Sequence, residues 1–470
     1  MTAYYPLRYQ VKNNIEVSDL EKKIFDRLLD KVREYLLYIG EDSQGVCVIN
    51  SNPHQSKHLE TTRMRVFDNW IDFVNLRSEE YAENSNSRIP TKQSFGTAEE
   101  DAYRRDLTIN SLFYNINTDT IEDFTKRGIS DLKSGNIVTP LPPKETLLDD
   151  PLRVLRAIRF GARFEFILVE DLKGAAASDE VKHALATKIS RERIGTEFDL
   201  MISGNQPVKA VAQICDLTLF RIVFSLPPEF DPPIADGCER LCITYLDTAW
   251  KLIQLLGEPN FSDEQKRTAL YTALFLPLRN TTYGDKKAKQ IPVVNWIIRE
   301  SLKRKAKNAE MVLDFHQASC KLMSLIPSLA SNEDVPESST LRVLTGFLLR
   351  ELKEFWRVAL LISILLLHPI DSTENVHLQL CKRRDLFKSV ENTIVVKLGL
   401  EKVWEVRQLV NGKQVMKELE LKGGPLVKEW LEKAMAWELA HPSGTAQECI
   451  DWLKQTNSKM ESHFNSLINI

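Results

Sequence analysis

Between Leu147 and Phe160 the chain reads Leu-Leu-Asp-Asp-Pro-Leu-Arg-Val-Leu-Arg-Ala-Ile-Arg-Phe: two carboxylates, a proline, then arginines at 153, 156 and 159. The spacing predicts a helix opened by Pro151, whose missing N–H costs nothing in a first turn. Asp149 and Asp150 then sit where a helix N-terminus favours negative charge. Asp150 and Arg153 are three apart and therefore neighbours on such a helix. An acceptor edge beside a rigid donor fork can read the hydrogen-bonding edge of a base. Arg156 and Arg159 continue along a similar face, where they can meet phosphates. The same residues also fit a capped amphipathic helix that packs Leu152, Leu155, Ile158 and Ala162 inward and leaves its arginines in water. Taken alone, the segment leaves both readings open.

A second constellation is Arg104-Arg105-Asp106-Leu107-Thr108-Ile109-Asn110. Placed on a helix, Asp106 and Asn110 lie one turn apart and face the same way. An acid and an amide together can hold both hydroxyls of a ribose, and Arg105 adds a fork for phosphate. The competing reading is a charged helix start, with Asn110 satisfying nearby backbone. Arg193 and Glu197, spaced i,i+4, suggest a structural ion pair that braces the arginine-bearing helix. In Trp70-Ile71-Asp72-Phe73-Val74 a carboxylate interrupts an apolar alternation. Asp72 is thus either a metal ligand on the open face of a sheet or a partly exposed edge residue. His54 and His58 have no companions that complete a metal site and read as loop polarity. Asp131 to Gly135 reads as a connecting turn.

These residues need elements to hold them. Helical spacing of Leu20, Ile24, Leu28, Val32 and Leu36 predicts a helix over 18–38. Residues 45–49 read as a strand, and 63–67 with 70–76 as a hairpin turning at Asp68-Asn69. Residues 78–100 read as a mobile polar loop. A helix from Glu99 to Phe113 follows, then a second hairpin across 117–119. Beyond Asp149 strand signals nearly vanish. Breaks are expected at 140–143, 226–233 and 328–339, where prolines or polar residues cluster. The resulting architecture is a small α/β head before a long helical body.

Composition agrees with a globular chain: 470 residues, 43% hydrophobic and 27% charged. A net charge of −3 confines any nucleic-acid surface to a local basic patch. Seven cysteines are scattered. The closest pair, Cys238 and Cys242, lacks partners at zinc spacing, and the odd count argues for a reducing compartment. The longest apolar run, Val358 to His368, is too short for a bilayer and reads as a buried helix. Residues 1–15 contain no acid and carry Arg8 and Lys12, without the apolar core or basic repeat of a targeting segment.

Together the segments resemble the class II tRNA nucleotidyltransferases, the CCA-adding enzymes, in their eukaryotic form. The resemblance rests on Ser51 to Thr61, Ile71 to Glu79, Arg104 to Asn110, Asp149 to Phe160 and Ile189 to Glu197. It continues through Asn411-Gly412-Lys413, Trp437 to Pro442 and Trp452. It implies an α+β fold: a polymerase-β-type nucleotidyltransferase head with a small mixed sheet over 1–140, a helical neck over 141–225, a body over 226–335 and a tRNA-binding tail over 336–470. It further implies template-independent addition of C and A to the tRNA 3′ end from CTP and ATP, with Mg²⁺, no membrane association, and a cytoplasmic location with nuclear or mitochondrial pools. Arg104, Arg105, Asp106 and Asn110 correspond to its sugar and phosphate motif, and Asp149, Asp150 and Arg153 to its base-reading template. Arg156 and Arg159 lie beside the triphosphate in that scheme. Residues 78–100 match the loop that switches from C to A, and Arg193 with Glu197 matches the brace.

One departure stands out. The family pattern has a Gly-Gly-x-x-Arg-Asp turn followed by an Asp-x-Asp strand ahead of residues 45–77. Here Ile24 to Leu29, resembling the helix before that strand, abuts Asp30 to Leu36, resembling one after it, and the sole Gly-Gly is at 423–424. The head is therefore expected to be truncated, with Asp72 as the remaining catalytic and metal-binding candidate. Two metal ions need several converging carboxylates. The alternatives are an inactive or truncated relative that binds tRNA, and a polymerase adding only A or only C.

Overall fold

Strands occupy the front of the chain, where β-branched and aromatic residues alternate, and helices take over from Gly128 onward. In this computed structural model the described residues are 2–4, 30–40, 47–49, 61–67, 69–74, 76–80, 92–228, 230, 237–257, 260–284, 289–331, 338–368 and 375–468. They fall into two compact units, Met1–Phe224 and Ser225–Ile470. The fold is α+β.

In the first unit β1 (Thr2–Tyr4) precedes helix α1 (residues 30–38). The expected helix over 18–29, like His54 and His58, lies outside the described residues. Next come β2 (Cys47–Ile49), β3 (Thr61–Val66) and β4 (Asn69–Val74), an antiparallel sheet in that order. The expected hairpin is present, with Phe67 taking a positive φ of 51° at its turn. Leu36 of α1 packs on Met64 with Val32, Val66 and Phe73, which leaves Trp70, Ile71 and Val74 exposed.

The loop expected over 78–100 is corrected at both ends. β5 (Arg77–Glu80) pairs antiparallel with β6 (Lys92–Phe95), and α2 (Ala98–Tyr103) begins behind a Thr97–Glu100 capping box. Their sequences, Arg-Ser-Glu-Glu and Lys-Gln-Ser-Phe, carry no apolar alternation to announce them. The helix expected to run to Phe113 stops at Tyr103. The Asp106 carboxylate accepts its neighbour's Leu107 N–H at 2.9 Å, a local bond that competes with helix, and aromatic Phe113 and Tyr114 are strand formers.

β7 (Phe113–Asn115) pairs antiparallel with β8 (Thr120–Glu122) and parallel with β1, making the expected small mixed sheet. The Asp131–Gly135 turn is in fact the end of a helix, α3 (Gly128–Ser134), closed by Gly135 at φ 70°. Gly128 is required there, because a Cβ would lie 2.7 Å from the Thr108 carbonyl. β9 (Asn136–Ile137) leads to α4 (Pro143–Asp149) and α5 (Leu152–Phe164), then β10 (Ile167–Leu168) pairs with β9. The helices α6 (Glu170–Ala176), α7 (Asp179–Lys188), α8 (Arg191–Ile202), α9 (Pro207–Asp216) and α10 (Phe220–Val223) complete the unit. Leu152, Leu155, Ile158 and Ala162 of α5 are all buried, and a fully buried leucine or isoleucine contributes roughly 2 kcal/mol.

Among its described residues the second unit is helical apart from one hairpin, β11 (Thr282–Gly284) with β12 (Gln290–Pro292). Its helices are α11 (Cys238–Leu256), α12 (Asp263–Leu274), α13 (Val293–Trp296), α14 (Ala306–Ala330), α15 (Ser338–Leu352), α16 (Trp356–Leu367) and α17 (Val376–Asn392). The apolar run beginning at Val358 is α16, buried from Val358 through Leu365. Closing the chain are α18 (Gly412–Glu418), α19 (Pro425–Ala440) and α20 (Ala446–Ile468). They pack around Val410, Trp430, Trp437 and Leu453, and Asn411 caps α18. Among the described residues no helix is long and apolar enough to cross a membrane.

Candidate nucleotide-reading site

Pro151 shapes the start of α5. A residue before proline is pushed out of the α region, and Asp150 accordingly takes φ −135°, ψ 96°, between Asp149 at the end of α4 and Leu152 at the start of α5. Its carboxylate accepts the Leu152 N–H at 3.3 Å. The side-chain neighbourhood with Arg153 expected from the spacing does not form, because Asp150 lies outside the helix. Its two oxygens instead accept Arg193 Nη1 and Nη2 at 3.3 and 3.0 Å. Arg153, only 8% exposed, donates from Nη1 to the Thr146 carbonyl (3.3 Å) and from Nη2 to the Arg104 carbonyl (2.6 Å). One guanidinium thus ties the start of α5 to the backbone of the Arg104–Asn110 motif.

Within that motif the expected meeting of Asp106 and Asn110 occurs, though on a turn rather than a helix. Asn110 Nδ2 donates to Asp106 Oδ1 at 3.1 Å, and Asn110 closes a short 3₁₀ turn over Thr108–Asn110. Asp106 Oδ2 accepts Arg156 Nε at 2.7 Å. The half-buried Arg156 guanidinium is penalised by desolvation, yet Asp106, Glu197 and Asp150 outweigh this and raise its pKa. Arg105 donates to both Asp101 Oδ2 (2.7 Å from Nη2) and the Asn110 carbonyl (2.9 Å), and lies over the Phe113 ring.

Arg193 and Glu197 do not pair with each other, which corrects the i,i+4 reading. Arg193 reaches Asp150, and Glu197 accepts Arg159 Nε at 2.6 Å with Arg156 Nη1 at 3.6 Å. Both α8 side chains point to partners on or before α5, where buried carboxylate–guanidinium geometry is better than between exposed helix neighbours. The result is a network in which arginines outnumber carboxylates, so a local positive surplus remains for an anionic ligand.

Asp72 is placed elsewhere. It sits opposite Arg63 in the β3–β4 ladder, and its two oxygens accept Arg63 Nε at 2.5 Å and Nη2 at 3.1 Å. The Arg63 hydrogen bonds hold its carboxyl below the usual range despite partial burial.

Residues 14–138 match the Poly A polymerase head domain, and residues 176–232 match the family described as probable RNA and SrmB- binding site of polymerase A. The tRNA nucleotidyltransferase cca2 of Schizosaccharomyces pombe is 34% identical over 437 residues, covering 90% of this chain and 85% of that protein. The mitochondrial CCA tRNA nucleotidyltransferase of Saccharomyces cerevisiae is 32% identical over 455 residues, covering 91% and 81%. The chain belongs to the tRNA nucleotidyltransferase family. Solved structures agree on the fold. The Bacillus stearothermophilus CCA-adding enzyme in complex with CTP superposes at a TM-score of 0.55, with 18% identity, over 86% of this chain and 83% of that one. The Thermotoga maritima CCA-adding enzyme complexed with tRNA superposes at 0.53, with 17% identity, over 91% and 84%.

Sequence reasoning missed Asp101 in this tRNA nucleotidyltransferase. It is 1% exposed and clamps both arginines of the motif: Oδ1 accepts Arg104 Nε at 2.9 Å, and Oδ2 accepts Arg105 Nε at 3.0 Å. Its spacing of i,i+3 and i,i+4 from them was a usable signal. Asp131 was missed as well. It accepts Thr108 Oγ1 at 2.7 Å and Arg127 Nε at 2.9 Å, which fixes the turn carrying Asn110.

Proposed function

We propose that this chain adds C and A to the 3′ end of tRNA from CTP and ATP without a nucleic-acid template. The observation that carries the reading is the set of hydrogen bonds and ion pairs that gathers Asp106, Asn110, Asp150, Arg153, Arg156 and Arg159 about α5, in a chain that covers most of its tRNA nucleotidyltransferase relatives. Asp150 and Arg153 present acceptor and donor edges to the base, Asp106 and Asn110 hold the ribose, and Arg104, Arg105, Arg156 and Arg159 face the phosphates. Arg193 and the backbone carbonyls fix the reading side chains before a nucleotide arrives, which lowers the ordering cost of binding. Residues 1–140 act as head, 141–225 as neck, 226–335 as body, and 336–470 as the tail that cradles tRNA. The solved relatives bound to CTP and to tRNA support these partners, and the mitochondrial relative supports a mitochondrial pool beside cytoplasmic and nuclear ones.

The family chemistry implies Mg²⁺, and the described residues do not fit it. Both oxygens of Asp72 are taken by Arg63, and among the described residues no three His, Cys, Asp or Glu side chains are grouped to hold a metal. That observation favours a second reading, a tRNA- and nucleotide-binding protein without transfer activity. Incubation of the purified chain with tRNA lacking its CCA end, CTP, ATP and Mg²⁺, resolved by product length, tests both. Extension by C, C and A supports the first reading, and extension by A alone or C alone assigns partial specificity. No extension, where a complete relative extends, together with a retained tRNA gel shift supports the second.

A further inference from the structure

The arginine row of α5 does not stop at the nucleotide-reading network. Arg153, Arg156 and Arg159 are answered there, by the Arg104 carbonyl, by Asp106 and by Glu197. One turn beyond Arg159 stands Arg163, exposed in the last turn of the helix. Among the described residues it has no ion-pair partner. Its backbone carbonyl accepts Asn205 Nδ2 at 3.1 Å, and its guanidinium lies 5.5 Å from the centre of the Phe164 ring. A charge left to solvent beside an aromatic ring suits an anionic ligand that also carries planar groups.

The rings form a series along the same helix. Arg159 lies 4.3 Å from the centre of the half-buried Phe160 ring. Phe160 stacks on Phe164 at 5.9 Å with the ring planes 12° apart, and Phe164 meets Phe166 at 5.7 Å. Phe166 is itself fixed. Glu165 ends α5 in the left-handed region at φ 59°, the Phe166 N–H donates back to the Gly161 carbonyl at 2.9 Å, and a Cβ at Gly135 would lie 3.4 Å from the Phe166 ring. Phe164 therefore stands on a rigid support and is still 44% exposed. Full burial would stabilise a phenylalanine by roughly 2 kcal/mol, which the fold forgoes at this position. A ring already held in place loses little freedom when a ligand stacks on it.

We propose that Phe164 and Arg163 form a stacking site for one unpaired base of single-stranded RNA, with Phe164 against the base and Arg163 on the adjoining phosphate. Base–aromatic stacking tolerates any sequence, because every base has a π-face. It needs an unpaired nucleotide, whose base can leave its neighbours and lie on a protein ring. The site lies about 16 Å along the helix axis from Arg153, in line with the nucleotide-reading network and separate from it. That RNA is the unpaired 3′ end of tRNA, an identity that rests on the function proposed above.

The test uses the full chain, Phe164→Ala, the conservative Phe164→Tyr, and Arg163→Gln, with two forms of one tRNA. One form ends in two unpaired C residues, and the other is trimmed back to its acceptor duplex. Phe164→Ala should bind the unpaired form about tenfold more weakly, the order of one base–aromatic stack, with Phe164→Tyr within about twofold of the native chain. Arg163→Gln should lower the slope of log affinity against log salt by about 0.7 on that form, as for one phosphate of a single strand. Every variant should bind the trimmed form as the native chain does. Arg163→Gln changes an exposed polar side chain, so its salt slope is read even where Phe164→Ala melts earlier. Equal loss on both forms, or native affinity and salt slope in Phe164→Ala and Arg163→Gln on the unpaired form, overturns the proposal. The 3′-extension assay separates the two claims. The expected losses without extension would overturn the C- and A-adding reading and keep the stacking site, and extension with every variant binding as the native chain does would do the reverse.

Discussion

At the scale of single residues, the site is an exchange of partners. Asp150 gives up its sequence neighbour Arg153 for Arg193, and Arg153 turns to two backbone carbonyls. Base reading by these two side chains predicts a specific loss. Arg153→Ala should reduce discrimination of CTP and ATP against GTP and UTP by about 1–3 kcal/mol, the value of a bidentate base contact, with tRNA affinity held within about twofold. Competition binding with the four triphosphates measures the first and a gel shift the second, and equal loss of both would contradict the template role. On the proposed reading, Asp101 acts through Arg104 and Arg105 and does not itself touch the nucleotide. Asp101→Asn removes the charge that holds Arg104 and Arg105, so CTP and ATP should bind about tenfold more weakly by calorimetry, a cost typical of breaking a buried charged hydrogen bond. Asp101→Glu should recover part of the loss, and an unchanged dissociation constant in Asp101→Asn would remove Asp101 from the site.

At the scale of elements, α5 is set by a proline at one end and an apolar face along its length, while α3 is set by what surrounds it. Gly128 lets α3 approach the Thr108 carbonyl, and Asp131 then bonds the Thr108 hydroxyl. A methyl at 128 would have to move backbone, and overpacking of this kind costs about 1–3 kcal/mol. Gly128→Ala should therefore lower the unfolding free energy of the first unit, measured by urea titration, by that amount. It should also weaken CTP and ATP binding, since the Thr108–Asn110 turn moves with it. Destabilisation without any effect on nucleotide affinity would show that the turn is not coupled to the site. The polar β5–β6 hairpin shows the opposite case, an element whose pairing is backbone hydrogen bonding and leaves no apolar period in the residues.

At the scale of the whole molecule, stability has its own pH signature, centred in the second unit. His316 is 4% exposed, its Nε2 donates to the Thr272 carbonyl at 2.9 Å, and burial pushes its pKa down to about 4. The unfolded chain takes up a proton near the ordinary value of about 6.5, whereas the folded one resists until about 4. Stability is therefore complete above about 6.5 and lost as pH falls through that window, by roughly 3 kcal/mol. Denaturant unfolding at pH 7, 5 and 4 should show this loss, and His316→Phe should flatten it; an unchanged slope in the variant would place the titration elsewhere. Much of the molecule was legible in the residues. Apolar spacing gave α5 and α16, prolines marked the break near residue 225, and the order of short motifs pointed to the family and its α+β fold. Those features depend on local spacing and chain order, which sequence contains. The pairing of Arg193 with Asp150 and of Glu197 with Arg159, the clamp at Asp101 and the fork of Arg63 on Asp72 came only with the tertiary structure. A charged side chain has several partners within reach along the chain, and the choice among them is made by burial and by the approach of distant segments.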